Sequence, residues 1–497
     1  MSDPTYAADS PVPSPGTAPG PTAGARSGSD GLSGRVGVAE LVLTVLAFSA
    51  PVVVVSGFTP FIIGFGGVGA PVAWIVAMVV LLLFAVGYTT MTRYLPNPGA
   101  FYAYITAGLG RPLGLGSSFL AMLGYFLMAV GTYLFFGTTT QSFVVDTLNG
   151  PDLPWQLFSF LCLAATATLG YFRIDLSVKV LSIAMVGEIL IVLIFDLAVL
   201  RDGGPEGRSL TPFTWDAFSS GEVGLSVLFA ATCFLGFEAT AVFREETRNP
   251  RRTIPVATYL AVLLIGVFYI LATWLIIVAY GPSQAPDVAA TNSVGMFPDA
   301  MESFVGMWAR DVMLVLLVTS GFACLLSVQN ILSRYCYSLG VDGALPRALG
   351  RVHPQHGSPY RASLAISTAI LVAVLLFVGS DPGTTYGRLA GTGGFSVLVL
   401  VFITNAAVIV FFRRRRDIDD TNRWQTVVAP VLSFAGMAAI LYLAITNFQL
   451  LTGGSTAEAA TLQLIVWAVL VSGIVLGVVY RSLRPEVYAR IGRQKAD

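Results

Sequence analysis

The chain has 497 residues, of which 55% are hydrophobic and 11% are charged, and its 28 cationic and 28 anionic side chains cancel. A mean hydropathy of +0.76 excludes an ordinary soluble protein, and repeated apolar runs of about 20 residues indicate membrane-spanning helices. The neutral charge and the lack of a basic, aromatic-interleaved face argue against a nucleic-acid partner. The two histidines lie in one polar loop, so we expect no histidine-based triad, no metal and no cofactor.

The first 35 residues are rich in Pro, Gly, Ser and Ala and carry no apolar stripe. This composition cannot bury a core, so residues 1–35 are predicted to be a disordered cytoplasmic tail. The segment also lacks the charged start and apolar stretch of a cleaved signal peptide. We divide the remainder into a core at 36–412, two further helices at 413–481 and a cytoplasmic C-terminal tail at 482–497.

Hydropathy predicts an all-α integral membrane protein with twelve transmembrane helices. Their expected bounds are 37–65, 70–94, 113–138, 155–172, 176–200, 221–246, 255–280, 309–338, 361–379, 390–412, 427–449 and 460–481. With the N-terminus inside, all 28 Lys and Arg residues except Arg201, Arg208, Arg310 and Arg388 fall on the cytoplasmic side. Because positive loops stay cytoplasmic, we predict a multi-pass protein of the cytoplasmic membrane with both termini inside.

Two segments between spans are expected to be helical, and residues 96–112 are too apolar to be a plain loop. Residues 292–306 are expected to form a short helix over the outer face. Residues 96–112 are expected to form an interfacial helix on the cytoplasmic side, with Tyr102 and Tyr104 near the lipid headgroups.

The first span, LVLTVLAFSAPVVVVSGFTPFIIGFGG, is interrupted by Pro51, Ser56-Gly57 and Pro60. Proline removes an amide donor and glycine relaxes the backbone, so peptide groups around Val55–Phe58 are predicted to be free. Freed half-helix ends are what secondary transporters use to hold a charged substrate group. The alternative is a kinked packing helix, since Gly and Pro are common in membrane spans.

The fifth span carries Lys179 near one end and Glu188 near its middle, nine residues apart and on opposite faces of a helix. Lys179 is either a snorkelling lysine or a proton carrier, and the chain has one other lysine, Lys495. Glu188 is expected to be protonated or hydrogen-bonded to a neighbouring helix, and the alternative is a role with a substrate amine or with coupling.

The sixth span contains Gly236-Phe237-Glu238 in an otherwise apolar run. An acid at membrane depth is a functional candidate by default, although Glu238 could also stabilise the break by accepting from free amides. The Gly-Phe pair repeats the Gly57-Phe58 pair five spans earlier. Interrupted helices at corresponding positions in two halves predict an inverted-repeat transporter site.

Hydroxyls at Thr319, Ser320 and Ser327 stand on the otherwise apolar eighth span. They are candidates to bind Na⁺ or a lysine in its place, although most membrane Ser and Thr residues bond their own helix backbone. Asn330, Arg334 and Asp342 near the inner end are predicted to form an inner gate or a loop-fixing network.

Three motifs resemble the amino acid–polyamine–organocation (APC) superfamily of permeases. They are GFEATAVFREETRNPRRTIPVAT in the sixth span, SRYCYSLGVDGALPRALGRVHP after the eighth and PNPGAFYAYITAGLGRPLGLG between the second and third. The resemblance implies a LeuT-type fold, in which helices 1–5 and 6–10 are inverted repeats, helices 1 and 6 are discontinuous and helices 11 and 12 are appended.

The resemblance also implies a substrate held at the two breaks, with its carboxylate on helix one and its amine near helix six. The implied lining is Val55, Ser56, Gly57, Phe58, Thr59, Phe234, Leu235, Gly236, Phe237 and Glu238. Lys179, in LSVKV, matches a lysine that occupies the place of a sodium ion in many members and favours proton coupling. Lys179 and Glu238 are therefore the predicted proton-coupling residues.

We predict a secondary active transporter that moves amino acids or related amines by alternating access, coupled to protons. The alternative is a polyamine or amino-alcohol carrier or exchanger. A membrane enzyme is disfavoured because no cluster of catalytic side chains is found near one interface. A non-transporting sensor is disfavoured because the tails are short. The expected partners are a small substrate, protons and the lipid bilayer, and the oligomeric state is left open.

Overall fold

The computed structural model describes residues 37–95, 100–172, 178–234, 236–237, 240, 247, 249–415, 421–452 and 455–492, except the side chains of residues 44, 47, 48, 100 and 178–182. Helices dominate the described chain. In order they are α1 Val38–Ser49, α2 Pro51–Gly57, α3 Thr59–Gly66, α4 Ala70–Thr92, α5 Ala100–Leu109, α6 Arg111–Ser142, α7 Trp155–Phe172, α8 Val178–Asp202, α9 Trp215–Ser219 and α10 Val223–Thr232. They continue as α11 Pro250–Tyr280, α12 Ala285–Thr291, α13 Met296–Phe304, α14 Met307–Asp342, α15 Tyr360–Leu376, α16 Pro382–Arg414, α17 Ala429–Thr446, α18 Phe448–Thr452, α19 Thr456–Leu483 and α20 Pro485–Arg490.

Nine stretches of the described residues are long and apolar enough to cross a membrane. One of them, residues 51–92, contains α2, α3 and α4 and covers most of the first two predicted spans. Two predicted spans correspond to shorter apolar helices, α10 with 10 residues and α15 with 17. The sequence therefore predicted an all-helical membrane protein correctly, while the described residues do not establish the number twelve or the repeat pattern.

The long helix α6 lies at the centre of the bundle and packs against α7, α14, α16 and α19. Lipid is as apolar as a leucine side chain, so membrane helices associate through close packing of small residues rather than through hydrophobic burial alone. Gly124 of α6 and Gly393 of α16 meet at one such crossing. A Cβ atom added to Gly393 would lie 2.8 Å from the Gly124 carbonyl oxygen and 2.7 Å from Met128 Cγ. The two backbones can approach this closely only because neither residue carries a side chain.

The segment predicted to lie at the membrane interface forms α5, which packs between α6 and α16. The prediction that its tyrosines reach the lipid headgroups is wrong, since Tyr102 and Tyr104 are both buried. The Tyr102 hydroxyl donates to Asp342 Oδ2 at 3.3 Å and accepts from the Gly492 amide at 2.8 Å. Asp342 thereby connects the end of α14 to α5 and to the C-terminal residues, as a loop-fixing group.

We call the end of the bundle at which α1 begins the first face, and the end at which α4 begins the second face. The predicted helix at 292–306 is represented by α13, preceded by α12. The α12 helix packs against α3, and α13 packs against α2 and α8 near the second face. These short helices cover the end of the first helix where it turns into α4.

We expect Gly393→Ala to destabilise the protein, because its methyl group would enter the α6–α16 crossing. Overpacking of this kind typically costs about 1–3 kcal/mol. The matched control is Gly64→Ala in α3, where a Cβ would meet nothing within 4 Å. Thermal unfolding in detergent measures the stability of both variants. Equal melting temperatures for Gly393→Ala and the wild type would contradict this account of the crossing.

Candidate functional site

The first helix is interrupted at Ala50, between α1 and α2. Ala50 adopts a left-handed backbone with φ of +44° and ψ of +69°. This conformation costs an L-residue roughly 1–2 kcal/mol. The following residue, Pro51, disfavours a right-handed helical conformation at Ala50 and begins α2 with a fixed φ of its own. The proline therefore accounts for the position of the interruption.

Peptide groups freed by this interruption bind side chains from two other helices, α8 and α11. The Ser49 carbonyl accepts a hydrogen bond from the Tyr269 hydroxyl of α11, at 3.4 Å. The Val52 amide donates to Glu188 Oε2 of α8, at 3.2 Å. The same carboxyl group hydrogen-bonds to the Ser320 hydroxyl of α14. Side chains of α8 and α11 thus bond directly to the turn at Ala50, and α14 supports it through Glu188.

Glu188 is buried, with 3% of its surface exposed, and its hydrogen-bond partners are both neutral. An ionised carboxylate at membrane depth costs about 2.5–3.5 kcal/mol on insertion scales and is found where function requires it. The position of Glu188 therefore answers one question left open by the sequence: its carboxyl group faces the interruption of the first helix.

The sixth helix is interrupted after α10. Gly236 has a φ of +108°, a conformation that side-chain-bearing residues rarely adopt. On either side the backbone bonds join residues three apart, from the Phe234 amide to the Ala231 carbonyl and from the Thr240 amide to the Phe237 carbonyl. The α-helical spacing of four is therefore lost around Gly236. The predicted site residues Leu235 and Glu238 lie outside the described residues.

The chain beyond Gly236 is fixed to α11. The Thr240 hydroxyl donates to the Phe237 carbonyl at 2.8 Å and lies 2.8 Å from the Thr258 hydroxyl of α11. Two threonines thus satisfy a carbonyl near the interruption and connect it to the helix that also carries Tyr269.

Three aromatic rings connect the two interruptions. The Trp74 ring of α4 lies 5.9 Å from the Phe234 ring beside the sixth-helix break. It also lies 4.8 Å from the Tyr269 ring, whose hydroxyl bonds to Ser49 at the first-helix break. The two interruptions therefore occupy one region of the bundle, on either side of Trp74.

A second aromatic group lies between the first-helix break and the second face. The Tyr386 ring of α16 contacts Phe58, Phe61 and Phe135, with centroids 5.7, 5.7 and 4.9 Å away. The Phe229 ring of α10 stacks on Phe61 at 5.7 Å. We call these five residues the aromatic cluster. It joins the first helix to α6, α10 and α16.

Two buried hydroxyls beside the aromatic cluster have no hydrogen-bond partner among the described residues, those of Ser56 and Tyr386. A Cβ added to Gly57 would lie 2.7 Å from the Tyr386 hydroxyl oxygen, so this hydroxyl lies directly against the first helix. Buried polar groups are normally paired, so these two hydroxyls are polar groups left available beside the first helix.

The residues predicted from the first span, Val55 to Thr59, are all buried, but they lie beyond the interruption. The Phe58 amide donates to the Val54 carbonyl at 2.9 Å and the Phe58 carbonyl accepts from the Ile62 amide at 3.1 Å, so both peptide groups of Phe58 are paired where α2 meets α3. The left-handed turn of the first helix therefore lies at Ala50, and of the peptide groups around Val55–Phe58 those of Phe58 are paired. Pro60 lies in the first turn of α3, and because proline has no amide it cannot donate to the Ser56 carbonyl four residues earlier.

The structure separates the predicted coupling and hydroxyl residues. Thr319 and Ser327 bond the carbonyls of their own helix, and Ser320 alone of the three reaches Glu188. The backbone of Lys179 lies nine residues before Glu188 in α8, and its side chain is outside the described residues. On a helix this separation is about 13 Å along the axis.

Several residues of the site were missed from the sequence. Tyr269, Trp74 and Tyr386 lie in apolar runs and look like ordinary packing aromatics until the contacts are seen. Ala50 could have been found, because the residue before a proline is displaced from helical geometry. Asp196, a buried acid of α8 with neither carboxylate oxygen partnered in the described structure, was an overlooked intramembrane charge.

Comparisons with known proteins find similarity to membrane permeases over most of the chain. Residues 40–472 match the family model described as amino acid permease. The branched-chain amino acid permease BcaP of Bacillus subtilis is 24% identical over 372 residues, covering 71% of this chain and 75% of that relative. The low-affinity putrescine importer PlaP of Escherichia coli is 24% identical over 383 residues, covering 74% and 80%. The glutamate/serine transporter AimA of B. subtilis is 24% identical over 399 residues, covering 76% and 71%.

The family match extends over most of the chain, including both interrupted helices, and agrees with the several apolar helices of the structure. The protein is a multi-pass membrane protein of the amino acid permease family, within the APC superfamily.

Proposed function

We propose that the protein is a secondary transporter that moves an amino acid or a related amine across the cytoplasmic membrane by alternating access, coupled to protons. The observation that carries the proposal is the meeting of two interrupted helices on either side of Trp74. Discontinuous helices near the bilayer midplane are the sites at which such transporters hold charged substrates. The names of the relatives, which include carriers for amino acids and for putrescine, support the substrate class.

The proposed substrate site extends from the break at Ala50 along Val55 to Thr59, and across to the segment from Phe234 to Glu238. The last carbonyls of α10 carry the negative end of a helix dipole, which favours a primary ammonium group there. The aromatic cluster would close the site toward the second face. The hydroxyls of Ser56 and Tyr386 would supply polar contacts, since neither has a partner in the described structure.

The proposed orientation places the first face and both termini in the cytoplasm, because Lys and Arg concentrate in the segments on that side. In this orientation the aromatic cluster faces the outside. Alternating access would then require the first and sixth helices to move relative to α8 and α14. The candidates for the coupled proton are Lys179, Glu188 and Glu238.

A polyamine or amino-alcohol carrier is the alternative. Uptake of radiolabelled leucine, putrescine and ethanolamine into proteoliposomes, with the interior alkaline, separates the two. We expect leucine uptake that unlabelled leucine inhibits and that collapses when a protonophore removes the pH gradient. Uptake of putrescine or ethanolamine without leucine uptake would select the alternative, and no uptake of any of the three would contradict the proposed substrate class.

We expect Tyr386→Phe to weaken substrate affinity by about 5–10-fold, the loss of one hydrogen bond of about 1 kcal/mol, without lowering stability. Stability is spared because the hydroxyl has no partner in the described structure. Substrate-induced thermal shift measures both quantities.

The matched control is Tyr133→Phe in α6, whose hydroxyl pairs with Thr166 of α7 at 2.7 Å. It should lower the melting temperature and leave affinity unchanged. If Tyr386→Phe instead lowers the melting temperature and binds substrate normally, the hydroxyl has a structural role only.

We expect Glu238→Gln to reduce substrate affinity or turnover, because the proposed site places this carboxyl group beside the ammonium of the substrate. Initial uptake rates over a range of substrate concentrations measure the effect. The control is Glu222→Gln, an acid that precedes α10 in the same span. Wild-type kinetics for Glu238→Gln would remove this residue from the site.

A further inference from the structure

We propose that Glu188 of α8 carries the coupled proton, and that its charge determines how tightly the first helix is held at Ala50. The proposal rests on the proposed function, since coupling has meaning only for a transporter. It assigns the proton to a residue that faces the first-helix interruption, rather than to the lysine at the beginning of α8.

The contacts of Glu188 join the interrupted helix to two others. Its carboxyl group accepts from the Val52 amide of α2 at 3.2 Å and hydrogen-bonds to Ser320 of α14. The α8 helix itself packs against α1, α2, α11 and α14. A movement of the first helix away from α8 and α14 must therefore break or remake bonds at this one carboxyl group.

The strength of these bonds depends on charge. A hydrogen bond to an ionised acceptor is roughly twice as strong as one between neutral groups. The carboxylate therefore holds the Val52 amide firmly and accepts from Ser320. When the carboxylate takes up a proton to become the neutral acid, the Val52 bond weakens, and the new O–H can donate to Ser320. Loss of that proton to the opposite side restores the carboxylate and the tight contact.

The titratable groups near Glu188 in the described structure decide whether its charge is fixed by a neighbour. Among the described side chains, Tyr269 of α11 and Cys324 of α14 interact with it electrostatically. The α2 helix has no titratable side chain, and α1 has Glu40 in its first turn, at the first face. The acids of α13, Asp299 and Glu302, lie near the second face. None of these neighbours is a cation that would fix Glu188 in its ionised form.

Two other groups on α8 are alternative carriers, and both are placed less favourably. Lys179 lies about 13 Å along the helix axis toward the first face. Asp196 lies eight residues beyond Glu188, about 12 Å toward the second face, and is buried with no partner in the described structure. Asp196 makes no described bond to an interrupted helix, and the side chain of Lys179 lies outside the described residues. They are therefore the matched variants for a test of Glu188.

The test compares wild type, Glu188→Gln, Asp196→Asn and Lys179→Ala in proteoliposomes with the membrane potential clamped. Two quantities are measured: leucine accumulation driven by a pH gradient, and leucine exchange at equal pH. With one proton per substrate, a gradient of one pH unit supports up to about tenfold accumulation. Glutamine has the shape of a protonated glutamate, so Glu188→Gln should keep exchange, lose all accumulation above equal concentrations and make exchange independent of pH.

Asp196→Asn should accumulate leucine as the wild type does, because Asp196 makes no described bond to an interrupted helix. Lys179→Ala tests the competing candidate for the coupled proton. Normal accumulation by Glu188→Gln overturns the proposal. Loss of accumulation in Lys179→Ala or Asp196→Asn, with coupling intact in Glu188→Gln, assigns the proton to that residue and also overturns it.

Ser320→Ala provides an independent test that retains the carboxyl group, should Glu188→Gln fail to fold. Removing this donor from the carboxylate should move the pH of half-maximal exchange upward, because the charged form loses stabilisation. An unchanged pH profile would contradict the proposal. Failure of the proposed function is distinguishable, because wild-type protein would then exchange neither leucine nor putrescine.

Discussion

The first helix turns at a residue that is not glycine, and this strained turn depends on side chains from other helices. The backbone of Ala50 is left-handed. The Ser49 carbonyl before it accepts a hydrogen bond from Tyr269, and the Val52 amide after it donates one to Glu188. A buried peptide group without a partner costs free energy comparable to a lost hydrogen bond. In a bilayer no water is available to replace these partners. The arrangement of α8, α11 and α14 around Ala50 therefore follows from the interruption itself.

The sixth-helix interruption is built differently. Gly236 reaches its positive φ without strain, and the carbonyl of Phe237 is satisfied by Thr240 nearby in the chain. The described bonds of the first break go to other helices, whereas those of the second include a local bond from Thr240 to Phe237 beside the contact of Thr240 with Thr258 of α11. Because the first is held by bonds to other helices, a change in the charge of one partner alters how firmly it is held. The bond from Val52 to Glu188 is the physical basis for assigning the coupled proton to the first break.

The fold was largely predictable because hydropathy and motif spacing are properties of the sequence alone. Long apolar runs located most of the helices, and Gly236 was identified from its position in such a run. The left-handed turn at Ala50 was not singled out from the sequence because three breakers, Pro51, Gly57 and Pro60, lie close together, and only packing decides where that turn forms. The α5 tyrosines were misplaced because their burial depends on α6, α16 and Asp342, which are distant in the chain.

The side-chain partners at the site could not be predicted from the sequence, because they are distant in the chain. Glu188 and Val52 are 136 residues apart, and Tyr269 and Ser49 are 220 apart. The central claim is that substrate lies between the two interruptions. An electron cryo-microscopy structure with saturating leucine tests it most directly. We expect a left-handed Ala50 and ligand density between Ala50–Val52 and the turn at Gly236. A first helix that runs unbroken through Ala50, or ligand bound away from Trp74, would contradict the account.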